Sequence, residues 1–239
     1  MHELGFHWYT NASPRMLPMG VGPTVNVILP GVTSQPLAPS PFVPPSVLEL
    51  FQNTGAYLKG HFRLTSGLHS SEYLQSALVL QHPKHAETLG KVLACKIAGL
   101  VGDSKVDFVM APALGGLIIG YEVARSLGVP LLFTERGADR KMALRRAFKI
   151  EAGSHGVVVE DVITTGGSTR EVIDIVREFG ATVLAAGSVI DRSGGSVDLG
   201  VPRAALATLK VVSFEPDSCP MCAAGEPVVK PGSRPDSSV

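Results

Sequence analysis

Residues 106–190 repeat one unit, in which a short apolar run is followed by a loop and an amphipathic helix. Strands that alternate with helices pair in parallel and carry helices on both faces of the sheet. We therefore expect an α/β protein with a central parallel sheet, and ligands bound beyond the carboxyl ends of its strands. The predicted strands are 106–110, 131–134, 157–159 and 183–190, and the predicted helices are 117–127 and 169–179.

The segment before this repeat contains a different pattern. Ser46 and Glu49 form a capping box, which predicts a helix from there to about residue 58. Apolar and polar side chains alternate over 60–80 across a Ser-Gly turn, which predicts a two-stranded hairpin. Apolar side chains at three- and four-residue spacing predict a further helix over 83–100.

Residues 1–45 hold nine of the 18 prolines and only two charged side chains, those of Glu3 and Arg15. Proline fixes φ and removes a backbone donor, so we expect an unfolded leader here. An ordered arm lying on a partner subunit is the alternative. The folded domain is then expected over 46–239.

The composition excludes several classes of protein. Lys and Arg together number 21, as do Asp and Glu, so there is no basic footprint for nucleic acid. No run approaches the roughly 20 apolar residues of a membrane span. Three cysteines are too few for a disulfide framework, and the first residues do not form a secretory signal, so we expect a cytoplasmic protein.

The strongest motif is VVVEDVITTGGST at 157–169, in which a buried strand ends in two carboxylates and a glycine turn opens a helix. Glu160 and Asp161 can accept hydrogen bonds from vicinal sugar hydroxyls. Backbone N–H groups of the turn and the positive end of the helix can hold a phosphate without a lysine. The sequence contains neither a Walker A motif nor G-x-G-x-x-G after the first strand of the sheet.

This stretch resembles the phosphoribosyl pyrophosphate (PRPP) motif of the type I phosphoribosyltransferases. The resemblance implies their fold, with Glu160 and Asp161 as catalytic residues at the ribose. It implies that the 5'-phosphate is bound by Thr164, Thr165, Gly166, Gly167, Ser168 and Thr169. The family's pyrophosphate loop, which has a non-proline cis peptide, falls on Ala113, Leu114, Gly115 and Gly116. Mg²⁺ is implied as a cofactor that enters with PRPP, without direct protein ligands.

The base-binding segments resemble those of orotate phosphoribosyltransferases. FRLTSGLHS at 62–70 is similar to their hood, a small subdomain placed at 46–80 plus a C-terminal part, and Asp191-Arg192 matches their Asp-Arg pair. The arginine fork suits the carboxylate of orotate. The resemblance implies a homodimeric enzyme that makes orotidine 5'-monophosphate and pyrophosphate from orotate and PRPP, in pyrimidine biosynthesis. The implied orotate contacts are Thr65, Ser66, Gly67, His69, Thr164 and Arg192.

Two positions depart from the family pattern, since Thr65 and Gly115 stand where many orotate enzymes have lysines. The basic segment 135–149 can supply replacements as the family's mobile catalytic loop, which commonly reaches across a dimer. Arg136 is expected at PRPP, and Arg140 and Lys141 are expected to be catalytic; a solvated charged face is the alternative. The segment also contains Arg145 and Arg146, and it ends at Lys149.

Two rival functions remain open. A phosphoribosyltransferase for another base would share the PRPP motif but not the hood, and a PRPP-sensing regulator would keep the motif without catalysis. Cys219 and Cys222 have the spacing of half a zinc site, but no second pair or nearby histidine completes four ligands. A structural turn or a redox-sensitive pair is therefore the favoured interpretation.

Overall fold

The structure is a computed structural model that describes residues 46–64 and 66–231. The expected leader at 1–45, the hood residue Thr65 and residues 232–239 lie outside the described residues. Within the described part of the chain, no helix is both long enough and apolar enough to cross a membrane.

A six-stranded sheet forms the centre of the fold, in the order β5-β4-β3-β6-β7-β8. The pairs between β4, β3, β6, β7 and β8 are parallel, and β5 is antiparallel to β4. The parallel sheet expected from the sequence is thus confirmed. The strands are β3 (Phe108–Pro112), β4 (Leu131–Arg136), β5 (Met142–Leu144), β6 (His155–Ile163), β7 (Thr182–Asp191) and β8 (Arg203–Thr208).

Helices cover both faces of this sheet because successive strand residues point to opposite sides. In β6, Val157 and Val159 belong to one apolar cluster, and Val158 belongs to the other. The first cluster receives buried side chains from α3 (Pro83–Val101) and α4 (Gly116–Leu127). The second receives them from α5 (Gly167–Glu178). Both faces of the sheet are therefore buried beneath helices, as is typical of a parallel sheet.

A second, smaller sheet combines two strands from the beginning of the described chain with one strand from near its end. Strand β2 pairs antiparallel with β1 on one side and with β9 on the other. Val229 adds backbone hydrogen bonds to His61 and Arg63 at the far edge of β1. The elements of this hood are α1 (Val47–Asn53), β1 (Tyr57–Arg63), β2 (His69–Leu74), α2 (Ser76–Leu80), β9 (Ser213–Phe214), a 3₁₀ turn (Pro216–Ser218) and α6 (Pro220–Ala223).

Several predicted boundaries are wrong, each for a local reason. The capping box is present, with Ser46 N donating to Glu49 Oε2 over 2.6 Å, but α1 ends at Asn53 because Gly55 takes a positive φ of 67°. The hairpin spans 57–74, and Ser76–Leu80 forms α2 because its apolar side chains also fit one face of a helical turn. Strand β8 escaped prediction because its alanine-rich sequence lacks the apolar run of a buried strand.

Candidate active site

The paired carboxylates lie inside the last part of β6, which continues past the predicted end at Val159 to Ile163. Glu160 is buried, whereas Asp161 is partly accessible. Burial raises the pKa of Glu160 well above its usual range, and the neighbouring charge of Asp161 raises it further. Asp161 Oδ1 accepts a hydrogen bond from Val162 N over 2.8 Å, which orients its carboxylate.

The expected phosphate loop lies directly after β6. Thr164 and Thr165 are exposed, Thr169 is buried, and α5 begins at Gly167, two residues before the predicted start. Gly166 adopts a positive φ of 74°, and a Cβ there would lie 2.7 Å from Val197 Cγ1. The position therefore requires glycine on both conformational and steric grounds. The exposed loop leads into the first N–H groups of a twelve-residue helix, which favours anion binding.

Arg136 is tethered beside this loop. Its Nη1 and Nη2 each lie 2.9 Å from a carboxylate oxygen of Glu171, and Nη2 lies 3.3 Å from Ser168 Oγ. The bidentate contact lowers the pKa of Glu171 and raises that of Arg136. Arg136 is thus positioned next to the start of α5, where it was expected to contact PRPP.

The second predicted loop, 113–116, lies at the end of β3 and contains a cis peptide bond between Ala113 and Leu114. Ala113 N donates to Thr134 O over 2.8 Å, which ties the loop to β4. A Cβ at Gly115 would lie 2.7 Å from Asp161 Oδ1, and one at Gly116 would lie 3.0 Å from Val159 O. Loop 113–116 and the carboxylate pair therefore form one continuous site.

Arg192 lies at the end of β7, next to the carboxylates. Its backbone N donates to Ile163 O over 2.8 Å, and its side chain is only 9% exposed. Nη2 lies 3.4 Å from Glu72 O and 3.5 Å from Ser70 Oγ, and among the described residues Nε has no hydrogen-bond partner. Burial lowers the pKa of this guanidinium because its charged form loses hydration. An anion bound beside it would compensate for that loss.

The side chain of Asp191, unlike that of Arg192, is held by contacts within the turn after β7 and with β8. Oδ1 accepts hydrogen bonds from Ser193 N and Oγ, and Oδ2 pairs with Arg203. Burial raises the pKa of Asp191, but the bonds from Ser193 and Arg203 outweigh this effect and leave the pKa below its usual range. The residue ties the end of β7 to the following turn and to β8.

Tyr73 is a candidate that the sequence analysis missed. Burial raises the pKa of its hydroxyl, Asp161 raises it further, and Arg192 lowers it. Tyr73 therefore lies within electrostatic reach of both the carboxylate pair and the buried arginine. Its position in β2, the second strand of the predicted hairpin, was the available signal.

The hood turn closes between β1 and β2. Leu64 N donates to Leu68 O over 2.8 Å, and Gly67 has a positive φ of 92°. Ser66 and Gly67 are exposed at the turn. The His69 ring is buried instead, with Nδ1 2.8 Å from His61 Nε2 and 3.3 Å from Cys222 Sγ. Its expected contact with a base stays a prediction.

The basic segment after β4 forms a hairpin that the sequence did not predict. Strand β5 pairs with β4, and Gly137 N donates to Lys141 O over 2.9 Å across the turn. Arg140 and Lys141 are exposed at this turn. Arg146 forms an ion pair with Glu135, with Nε 2.7 Å from Oε2. The structure thus separates the ion-paired Arg136 and Arg146 from the exposed Arg140, Lys141 and Arg145.

The expectation that no histidine completes a ligand set with Cys219 and Cys222 is wrong. The structure brings His61 and His69 of the hairpin to these two cysteines, and one ligand atom from each lies within 4.8 Å of the others. Sequence spacing could not show this because His61 and Cys219 are 158 positions apart.

A family model, the phosphoribosyl transferase domain, matches residues 79–199, which include the carboxylate pair and both loops. The fold and the site thus define the class as phosphoribosyltransferases. The orotate phosphoribosyltransferase of Pelotomaculum thermopropionicum is 56% identical over 188 residues, covering 79% of this chain and 96% of the relative. That of Desulforamulus reducens is 50% identical over 188 residues, with the same coverage of 79% and 96%.

A solved structure supports the same grouping. The crystal structure of orotate phosphoribosyltransferase from Aeropyrum pernix matches with a TM-score of 0.57 and 28% identity, covering 69% of this chain and 94% of that chain. The chain belongs to the orotate phosphoribosyltransferase family.

Proposed function

We propose that the protein transfers the phosphoribosyl group of PRPP to orotate, giving orotidine 5'-monophosphate and pyrophosphate for pyrimidine biosynthesis. The observation that carries the choice of base is Arg192, a buried guanidinium directly after β7 whose Nε has no partner among the described residues. Orotate bears a carboxylate beside a flat ring, and a planar arginine fork is suited to that group. Neutral adenine and uracil lack this carboxylate.

PRPP is proposed to lie across the two loops. Its 5'-phosphate binds at the start of α5, through backbone N–H groups and the hydroxyls of Thr165, Ser168 and Thr169. Its pyrophosphate binds at Ala113, Leu114, Gly115 and Gly116. The ribose then lies over Glu160 and Asp161, an assignment supported by the contact between Gly115 and Asp161 across the site.

The reaction breaks the bond between the anomeric carbon and pyrophosphate oxygen, and forms one from that carbon to a ring nitrogen of orotate. The electron pair of the broken bond leaves with pyrophosphate, and the proton of the ring nitrogen is released to solvent. Because the transition state has oxocarbenium character, a carboxylate facing the ribose stabilises the developing positive charge. Asp161 is proposed for this task, and Arg192 and Thr164 align the base.

Mg²⁺ is proposed to enter as the PRPP complex. The donor set of this chain fits such a hard cation, because the carboxylate oxygens of Asp161 lie beside the loop proposed for pyrophosphate. When bound, Mg²⁺ offsets the negative charge of the leaving group. The backbone of loop 113–116 and nearby cations hold the same charge from the protein side.

Arg140 and Lys141 are proposed to close over pyrophosphate during turnover, in a homodimer in the cytoplasm. Their exposure at the hairpin turn supports this role, since neither side chain is committed to an ion pair among the described residues. Closure would exclude water and strengthen each charge contact. The three cysteines are all free, which is compatible with a reducing compartment.

The test is to mix the protein with PRPP and Mg²⁺ and to measure pyrophosphate release with orotate, adenine or uracil. Of the three bases, we expect only orotate to cause pyrophosphate release, accompanied by formation of orotidine 5'-monophosphate. Release with another base would assign a different specificity, and PRPP binding without release would favour a regulator. The matched control is Arg177→Ala, an exposed arginine of α5 outside the site, which should retain the orotate reaction.

A further inference from the structure

Four side chains to which the proposed reaction assigns no chemical step meet at one point in the hood. His61 comes from β1, His69 begins β2, and Cys219 and Cys222 lie at the start of α6. One ring nitrogen or sulfur from each lies within 4.8 Å of the others. His61, His69 and Cys219 are 4%, 6% and 2% exposed, whereas Cys222 is exposed, so three of the four members of this His/Cys cluster are buried.

The separations between these atoms match those around a tetrahedral zinc ion. Bonds of about 2.3 Å to sulfur and about 2.05 Å to nitrogen place tetrahedral S and N ligands about 3.6 Å apart. Here Cys219 Sγ lies 3.6 Å and Cys222 Sγ lies 3.7 Å from His61 Nε2, and Cys222 Sγ lies 3.3 Å from His69 Nδ1. The two ring nitrogens are closer, at 2.8 Å, and a bound ion would separate them by a few tenths of an ångström.

The tautomer of His61 also favours a ligand role. Its Nδ1 lies 2.9 Å from Glu226 O, and a carbonyl oxygen can only accept, so Nδ1 carries the proton. Nε2 then presents its lone pair to the cluster. A backbone carbonyl that holds the other ring N–H is the usual outer contact of a zinc-bound histidine.

We propose that His61, His69, Cys219 and Cys222 form a structural zinc site. Two thiolates and two imidazoles in tetrahedral separation suit Zn²⁺ better than Mg²⁺ or Ca²⁺, which take oxygen ligands. On binding, the two thiols release two protons to solvent and become thiolates. Four protein ligands leave no open position for water, so the ion has no part in the transfer reaction.

The site joins two segments that lie far apart in the chain. His61 and His69 flank the hood turn 64–68, and the cysteines belong to the segment that also supplies Val229 to β1. Zinc therefore fixes the base-binding turn against the C-terminal segment. This role goes beyond the proposed transfer reaction and does not depend on which base is used.

The first experiment measures metal in the full chain, expressed with zinc and purified without chelator, by inductively coupled plasma mass spectrometry. We expect about one zinc per chain, as four protein ligands per site require. Cys219→Ser with Cys222→Ser should abolish it, and Cys95→Ser, which alters an exposed cysteine outside the cluster, should retain it. A wild-type zinc content no higher than that of the double variant overturns the proposal.

The second experiment does not require the double variant to fold. Replacing zinc by Co²⁺ in the wild-type protein should give a thiolate-to-metal charge-transfer band and the visible absorption of tetrahedral cobalt. Chelation should lower the melting temperature of wild type and of Cys95→Ser alike. Absence of the charge-transfer band, or a Cys219–Cys222 disulfide in reduced, zinc-supplied protein, would overturn the assignment.

Discussion

Gly115 and Asp161 approach each other so closely that a Cβ on the glycine would lie 2.7 Å from the carboxylate Oδ1. The first residue comes from the turn after β3, and the second comes from the end of β6. Since the two strands are parallel neighbours, their carboxyl ends share one edge of the sheet. This contact joins the loop proposed for pyrophosphate to the carboxylate proposed for the ribose.

Gly115→Ala should therefore raise the KM for PRPP by about tenfold, equivalent to about 1.4 kcal/mol. The added methyl must displace either Asp161 or the loop backbone. Steady-state kinetics with varied PRPP measure the effect. Gly99→Ala is the matched control, because a Cβ at this exposed helical glycine meets nothing within 4 Å. An unchanged KM in Gly115→Ala would show that the loop does not bind PRPP.

Asp161→Asn keeps the shape of the side chain but removes the charge proposed to face the developing cation. We expect kcat to fall by about tenfold or more, which corresponds to at least about 1.4 kcal/mol in the barrier. Single-turnover measurements separate this step from product release. A folded variant with wild-type kcat would remove Asp161 from the mechanism.

Arg192→Ala should raise the KM for orotate by about tenfold to a hundredfold, the range of a lost hydrogen bond to a charged group. The KM for PRPP should change little, because the PRPP groups lie on other loops. Arg192→Lys should recover only part of the loss, since an ammonium cannot reproduce the planar fork. Equal effects on both substrates would indicate a structural arginine.

Arg140→Ala with Lys141→Ala should depress kcat strongly and leave the melting temperature near that of wild type. Exposed loop charges contribute little to folding. Lys149→Ala, an exposed cation beyond the hairpin, is the control and should leave kcat unchanged. A wild-type kcat in the double variant would indicate that the turn is a solvated charged surface with no catalytic role.

The same double variant tests whether the turn reaches another subunit. Mixed with Asp161→Asn, it should regain part of the activity in hybrid dimers, because one of the two sites then receives both intact parts. Mass spectrometry of differently tagged subunits checks that exchange has occurred. No recovery after confirmed exchange would place the turn over the site of its own subunit.

Glu160 should make stability depend on pH. A carboxyl whose pKa is raised on folding holds more protons in the native than in the unfolded chain, so stability falls as pH rises from about 4.5 through the raised value. The Glu160→Gln side chain cannot ionise, so the stability of this variant should not show the decrease with rising pH. Each unit of pKa difference corresponds to about 1.4 kcal/mol. Melting temperatures between about pH 5 and about pH 8 measure it.

Glu171→Gln provides a control of opposite sign. Its pKa is lowered by Arg136, so its contribution is present above the unfolded pKa and is lost as pH falls through the lowered value. The variant should therefore be less stable than wild type at neutral pH, and the difference should shrink in acid. If Glu160→Gln behaved in this way too, the proposed protonation of Glu160 would be wrong.

The central sheet was predictable because β3, β6 and β7 are apolar runs followed by loops and helices. The carboxylate pair and its glycine turn are local in sequence, so their position after β6 followed from the motif. The hairpin of β4 and β5 was not predictable from the basic segment. Strand β5 has only three residues, which is too short to show the alternation of apolar and polar side chains that identifies a strand. Tyr73 needed the packing of β2 against the main domain.

The His/Cys cluster marks the limit of reasoning from spacing. Cys219 and Cys222 are only three positions apart, but their partners come from a hairpin about 150 positions earlier; Cys219 and His61, which are in contact, are 158 positions apart. The pairing of β2 with β9 and the backbone bonds of Val229 to β1 bring the two segments together. A long-range strand pair of two residues leaves no recognisable pattern.

The composite hood has a consequence for synthesis on the ribosome. At about 5–20 residues per second, His61 is translated about 10–30 s before Cys219. The six-stranded sheet is already complete in sequence at Thr208, before β9 and α6 are made. A nascent chain therefore contains the loops proposed to bind PRPP before the hood is complete, so the hood is the last part of the fold that can be completed.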